Sequence, residues 1–142
     1  MKLKKGIPLI DQHDRKGFYC SGKFGGNFVA ETARKPIEDL SNLFEKLRKN
    51  KKFLKKRDYY FKHYLGGETP FFKLENLTKY LGGAQIWCKD VSAINGDAHK
   101  AYHATVNALI CKESGKKFIA GDTGAGMFGK NLALAAKKMN LS

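Results

Sequence analysis

Cysteine, arginine and long hydrophobic runs are all scarce in this sequence, and each scarcity excludes a class of protein. The cysteines are three, far apart and never in C-x-x-C spacing, so reduced thiols are expected rather than a zinc site or a disulfide framework: Cys20, Cys88 and Cys111. No run approaches the ~20 apolar residues that span a membrane. The basic N-terminus also lacks the apolar core of a signal peptide, because Pro8 interrupts residues 6–10. We therefore expect a cytoplasmic protein with no membrane partner.

Acidic residues are few as well, and the formal net charge is +14, from 27 basic and 13 acidic side chains. Such an excess suggests nucleic-acid binding, which is driven by the release of phosphate counterions. Only four of the basic residues are arginines, however, and lysine lacks the bidentate fork that favours phosphates and base edges. A lysine-rich solvated surface is therefore the favoured interpretation. A basic nucleic-acid-binding domain remains the weakest alternative.

The chain divides by pattern into residues 1–31, an irregular N-terminal segment, and residues 32–142, a partial α/β domain. Glycines recur in the first segment without helical periodicity. Apolar residues at helical spacing then predict helices over 36–49, 51–64 and 75–81. At 142 residues, 42% of them hydrophobic, the chain is long enough to bury a core.

The second half of the chain alternates strand and helix signals. Buried strands are predicted over 84–89 and 117–120, and helices over 99–114 and 127–140. Because successive parallel strands are joined by right-handed crossovers, this order predicts one βαβ unit and a further helix. The predicted fold class is α/β, with N-terminal helices plus a partial parallel sheet in βαβα order. Such a small parallel sheet needs cover on both faces, which is typical of the front part of a larger protein whose second domain is truncated.

Lys100 stands at a predicted loop-to-helix junction, and Asp122 leads into a glycine-rich turn after the next strand. Both junctions would lie at the C-terminal edge of a parallel sheet, where open α/β sheets bind ligands. A deprotonated lysine amine attacks aldehydes, and the N–H groups of a turn that opens a helix hold anions. The pair therefore indicates Schiff-base chemistry beside a small-anion site.

The turn itself contains a literal G-x-G-x-x-G over residues 124–129. A dinucleotide site is one interpretation, but its motif belongs to the first βα turn and expects an acidic residue about 20 positions later. No Asp or Glu follows Asp122. The other alternative is a tight turn that only lets a helix pack closely on a strand.

His99 has two interpretations, a donor to a phosphate or a simple cap of its helix. His103 lies one turn further on and would form a metal pair with His99, but no third ligand has suitable spacing. No metal site is predicted.

Taken in order, several motifs resemble those of the tryptophan synthase β chain family, which are fold-type II enzymes dependent on pyridoxal 5'-phosphate (PLP). The match is collinear from Gly22 onward. Residues 22–32 are similar to G-x-F-G-G-x-[YF]-V-P-E-T, residues 66–70 to G-R-P-T-P and residues 77–83 to L-T-x-x-L-G-G. Ala98-His99-Lys100 matches A-H-K, and residues 121–129 resemble E-T-G-A-G-Q-H-G.

The resemblance implies a role for each matching position. Lys100 is the Schiff-base lysine and the proton shuttle at the substrate α-carbon, and His99 neighbours the cofactor phosphate. Asp122 takes the place of the glutamate that assists departure of the serine hydroxyl. The substrate carboxylate is surrounded by Thr123, Gly124, Ala125, Gly126, Met127 and Phe128.

The resemblance also implies a reaction and its partners. PLP-dependent β-replacement of L-serine with indole gives L-tryptophan, a tryptophan synthase α chain supplies the indole, and a homodimer is left open. The family part that would follow Ser142 supplies a glycine-rich cup for the cofactor phosphate and the partner of the pyridine nitrogen. The alternative from another class is a catalytically inactive, truncated or degenerate fragment that acts as a binding module.

Departures from the family pattern accompany these matches. The family's K-R-E-D is Lys89-Asp90-Val91-Ser92 here, and Tyr102 replaces an asparagine. Met127-Phe128 replaces a Q-H pair and so removes two polar side chains from the substrate loop. Asp122 in place of Glu shortens the acid by one methylene.

Overall fold

The computed structural model describes residues 4–14, 17–19 and 22–142. These form two compact units, one that ends at Asp39 and one that covers Leu40–Ser142. Of the three cysteines, Cys20 lies outside the described residues, while Cys88 and Cys111 are free thiols. Within the described part of the chain, no helix is both long and apolar enough to cross a membrane.

The first unit is built from turns and a short hairpin. A 3-10 turn covers Leu9–Asp11, and strands β1 (Phe18–Tyr19) and β2 (Phe24–Gly25) pair antiparallel. Gln12 is buried because its amide Nε2 donates to the carbonyls of Lys4 (2.9 Å) and Ile7 (2.6 Å). The side-chain amide of Gln12 thus joins two backbone positions of a segment that buries little apolar surface.

Helix α1 covers Glu31–Leu47 and starts five residues before the predicted boundary. The prediction placed Pro36 at the helix entry, but Pro36 lies inside the helix. The N–H that proline lacks would have bonded to the carbonyl of Thr32, in the exposed first turn. Because Thr32 is exposed to solvent, its unpaired carbonyl costs little.

Helices α2 (Lys51–His63) and α3 (Glu75–Leu81) agree with the prediction to within a residue. The side chain of Asn50 caps α2 by accepting from the backbone N–H groups of Lys52 (2.9 Å) and Phe53 (3.2 Å). Gly82 ends α3 in the left-handed conformation.

The described residues do not form the predicted parallel sheet. Strand β4 is shorter than predicted (Trp87–Lys89) and pairs antiparallel with β3 (Phe71–Lys73), in the register Phe72 to Cys88. Residues 117–120 are not a strand. The physical reason is that a parallel pair needs cover on both faces, whereas an antiparallel pair can leave a face exposed to water, as these short strands do. The observed architecture is mixed α/β, with five helices and two small antiparallel sheets among the described residues.

The segment predicted as the second strand bonds to Ser142 instead. The N–H of Ile119 donates to the carbonyl of Ser142, and the N–H of Ser142 donates to the carbonyl of Lys117, both at 2.9 Å. Ser142 thus bonds to Lys117 and Ile119, the two residues on either side of Phe118, and this is the hydrogen-bond pattern of a parallel strand pair. The contact involves only this one residue of the second segment and therefore builds no sheet.

Helices α4 (Lys100–Glu113) and α5 (Met127–Lys138) form the centre of the second unit. They run in the same direction, because His103 contacts Phe128 near their N-termini and Lys112 Nζ donates to the carbonyl of Met139 (2.9 Å) near their C-termini. Small buried residues between the two helices, Ala104 and Ala108 of α4 and Ala135 of α5, let the helices pack closely. The main core cluster consists of Leu47, Phe53, Ala104, Ala108, Leu109, Leu132, Ala135 and Met139.

Candidate functional site

Lys100 is the first residue of α4 and is half-buried. His99 precedes it as the N-cap residue, is exposed, and makes no side-chain capping hydrogen bond. His99 thus occupies the N-cap position, but its side chain does not cap the helix. In the first turn of α4, the N–H groups of Ala101 and Tyr102 donate to the carbonyls of Ala98 (2.9 Å) and His99 (3.2 Å). The helix dipole still favours negative charge at this end.

The glycine-rich loop leads into α5, whose first residue is Met127. Residues 121–126 are all exposed. Gly126 caps the helix at φ +84°, a conformation that favours glycine. The hydroxyl of Thr123 accepts from the N–H of Gly129 at 3.2 Å, so this side chain stabilises the loop.

Two links from α5 bring the lysine junction and the glycine loop together. The buried side chain of Asn131 donates from Nδ2 to the carbonyl of Gly96 at 3.1 Å. Lys130 Nζ lies 2.7 Å from Asp97 Oδ2. Because α4 and α5 are parallel neighbours, their N-termini also lie at the same end of the unit. The convergence expected from a parallel sheet is thus produced by helix packing.

Gly124 differs from the other glycines of the loop. A Cβ on Gly121 would lie 2.6 Å from Leu132 Cδ2, and one on Gly129 would lie 2.8 Å from Thr123 Cγ2, so packing explains both. A Cβ on Gly124 would meet nothing within 4 Å, and its φ lies outside the left-handed region. The fold does not require glycine at 124, and the backbone there is open to a ligand.

Asp122 is exposed in this loop. Among the described residues, no hydrogen bond or ion pair joins Asp122 to Lys100. The structure therefore places the two predicted catalytic side chains at the same end of α4 and α5 without direct contact.

The sequence-based prediction gave no functional role to Asp97, Lys130 or Asn131. Asp97 adopts φ +58°, which Asp tolerates better than most residues. Asn131 stands one turn after Met127 and one turn before Ala135, both on the packed side of α5. A polar residue at a core position was the available signal, because buried amides are hydrogen-bonded.

Asp90 and Ser92 form a local turn in the loop between β4 and α4. The hydroxyl (2.7 Å) and the N–H (2.8 Å) of Ser92 both donate to Asp90 Oδ1. The hydroxyl, and then the N–H, hold the pKa of the Asp90 carboxyl below its ordinary value. Asp90 and Ser92 are among the residues that depart from the family's K-R-E-D, and here they bond to each other in a local turn.

Other features lie away from this end. A shallow cleft lined by Asn50, Lys52, Phe53, Lys56 and Glu113 adjoins the last residue of α4, about 20 Å along the helix from Lys100. Among the described residues, no group of three or more His, Cys, Asp or Glu side chains is arranged to hold a metal ion.

No protein-family model matches the chain. Curated relatives do. Over 128 residues, 90% of this chain and 32% of the relative, it is 38% identical to the tryptophan synthase beta chain of Fusobacterium nucleatum. Over 108 residues, 76% of this chain and 27% of the relative, it is 42% identical to the tryptophan synthase beta chain of Leptospira biflexa. The chain spans about a third of the length of these relatives, and over that part it is homologous to tryptophan synthase beta chains.

Proposed function

We propose that this chain provides the lysine and the glycine loop of a PLP site of the tryptophan synthase beta-chain type, in the front part of a fold-type II enzyme. The reaction is β-replacement of L-serine with indole to give L-tryptophan, with an α chain supplying indole. The observation that carries the proposal is the position of Lys100 and the open glycine loop at adjacent N-termini of two parallel helices. The named relatives support the same general chemistry.

The residues present fit the cofactor. Lys100 is half-buried at the first position of α4 and provides an amine there, and the helix dipole at this N-terminus favours an anionic phosphate beside the exposed His99. When bound, PLP withdraws electrons from the α-carbon of an amino acid. Lys100 would hold the cofactor through Nζ and would move a proton at the substrate α-carbon.

The glycine loop holds the other end of the substrate. Backbone N–H groups of residues 123–128 donate to the amino-acid carboxylate, and the open position of Gly124 leaves room for its approach. Asp122 assists departure of the serine hydroxyl. Met127 and Phe128 bring apolar side chains to this loop, since both are half-buried at the start of α5.

The covalent step is tested with the purified chain and PLP. Absorbance near the visible edge should develop on addition of PLP and should be lost in Lys100→Ala. Lys112→Ala is the matched control, because Lys112 lies on the same helix at its opposite end. Equal loss in both variants would contradict the assignment of Lys100.

Turnover is tested in a complemented enzyme. Adding the remaining segment of a homologous beta chain, in cis or in trans, should tighten PLP binding, since that segment supplies further cofactor contacts. Asp122→Glu should then raise serine β-elimination more than it changes serine binding, because misplacing a catalytic group by ~1 Å can cost about a hundredfold in rate. Cofactor binding without any turnover would favour the inactive-fragment alternative.

A further inference from the structure

The loop before Lys100 is fixed to α5 by one buried amide. Asn131 is only 3% exposed, and its Nδ2 donates to the carbonyls of Gly96 (3.1 Å) and Met127 (2.9 Å). Gly96 lies four residues before Lys100, and Met127 begins α5 directly after the glycine loop. A single side chain therefore joins the backbones of both halves of the candidate site.

Gly96 and Asn131 also fit each other sterically. A Cβ on Gly96 would lie 1.9 Å from Asn131 Oδ1, and Gly96 adopts φ +102°. No side chain other than hydrogen fits between this backbone and the amide. The contact is consequently specific to this pair of residues.

The flanks of the loop are anchored independently. Ile94 and Ala101 are buried in a small cluster with Leu65, and the N–H of Asn95 donates to the carbonyl of Leu65 at 3.0 Å. These contacts hold the ends of the segment 94–101. Within it, Asn131 fixes the position of the Gly96 peptide, and that peptide directs the chain into Lys100.

We propose that Asn131 is a positioning residue for Lys100. It acts through the Gly96–Lys100 backbone, holding the lysine amine at the distance from the glycine loop that one bound amino acid needs. This inference rests on the proposed function. The nearby Lys130–Asp97 pair is the lesser restraint, because its side chains are 45% and 68% exposed and exposed ion pairs contribute little.

Asn131→Asp separates hydrogen bonding from packing. The two side chains have almost the same volume, but a carboxylate would direct oxygen atoms at the carbonyls of Gly96 and Met127. The loop would lose its donor and gain repulsion, so Asn131→Asp should displace Lys100 at least as much as Asn131→Ala does. If Asn131 only filled space, the buried charge of Asn131→Asp would still lower stability, but the position of Lys100 would not change.

The test is reductive labelling of the full chain with PLP and borohydride, with the labelled lysines identified by peptide mass spectrometry. The measured quantity is the labelling rate of Lys100 relative to Lys55, an exposed lysine of α2. Because Lys55 is exposed, it reports the labelling rate of a solvated lysine, and the ratio isolates what the fold adds to the rate at Lys100. We expect the ratio to fall about tenfold or more in Asn131→Ala and Asn131→Asp. Met139→Ala, which removes a buried side chain after the opposite end of α5, should leave the ratio unchanged.

Each outcome decides a different point. If Lys100 of the unaltered chain reacts no faster than Lys55, the proposed function fails and the positioning role fails with it. If Lys100 reacts preferentially and both Asn131 variants keep the ratio, the positioning role alone is overturned. Hydrogen exchange that accelerates at the amides of residues 96–101 in Asn131→Asp, and not at the end of α4, would support it.

Discussion

The α4–α5 pair and the β3–α3–β4 segment belong to the same unit, yet they differ greatly in how many of their residues are buried. Helices α4 and α5 together carry nine of the buried residues, including Ala104, Leu109 and Asn131. Helix α3 buries none, and both strands beside it are largely exposed. In the first region each apolar face meets another, whereas in the second the apolar faces remain at the surface.

The exposed region is nevertheless ordered locally. Phe71 and Trp87 stack across the strand pair with ring centroids 5.2 Å apart, although they are 63% and 49% exposed. Cross-strand aromatic pairs stabilise a sheet by only a few tenths to about 1 kcal/mol. The β3–β4 strand pair therefore lies at the surface with only modest local stabilisation. Because the buried region is the α4–α5 pair, the candidate site owes its geometry to helix packing and not to a sheet.

The largest expected effect is the loss of a core side chain between the helices. Leu109→Ala removes a side chain that is 0% exposed and should lower the free energy of unfolding by about 2–5 kcal/mol, since a cavity remains. Leu81→Ala is the control, because Leu81 of α3 is 58% exposed and its loss should change stability by less than about 0.5 kcal/mol. Urea denaturation measures both. Equal losses would erase the contrast between the two regions.

Gly96→Ala should have the next largest effect. The new Cβ meets Asn131 Oδ1 and also needs a positive φ, so we expect a loss of about 3 kcal/mol or more from clash and strain together. Gly115 also has a positive φ (+75°, against +102° at Gly96), but a Cβ there meets nothing within 4 Å, so Gly115→Ala should cost only about 1–2 kcal/mol. Thermal unfolding of the two variants separates steric fit from backbone conformation. If Gly115→Ala proves as harmful as Gly96→Ala, the fit to Asn131 is unimportant.

Tyr64 gives a smaller, pH-dependent effect. Burial raises the pKa of the Tyr64 hydroxyl above its ordinary value. Its contribution to stability is therefore complete below pH of about 10, the pKa of an unfolded tyrosine, and is lost as pH rises through the higher folded pKa. Tyr64→Phe should remove this part of the alkaline loss, which urea denaturation at pH 8 and above would detect. A parallel decline in both proteins would show that water reaches the Tyr64 hydroxyl freely.

Asp97→Asn should have the smallest effect. It breaks an ion pair with Lys130 whose side chains are both exposed, so stability should change by about 0.5 kcal/mol or less, and less still at high salt. Denaturation at low and high salt measures this. A loss comparable to that of Gly96→Ala would mean that the ion pair, and not the Asn131 amide, holds the loop.

The helices were largely predictable, while the strand partners were not. Helix α3 was predicted to the residue, and α2, α4 and α5 to within about two residues, because their apolar spacing and end signals are local. The parallel pairing of 84–89 with 117–120 failed because nothing within a strand's own residues specifies its neighbour. Phe71–Lys73, which pairs with β4, was not predicted to be a strand.

The sequence alone placed Lys100 at the start of a helix and Asp122 before a second helix, since helical hydrogen bonds join residues four apart and reflect local composition. The parallel arrangement of these helices and the hydrogen bond from Asn131 to Gly96 depend on tertiary packing. Those contacts join residues 25 or more positions apart. Their formation depends on which apolar faces and buried polar groups find partners across the whole unit, and no local pattern encodes that.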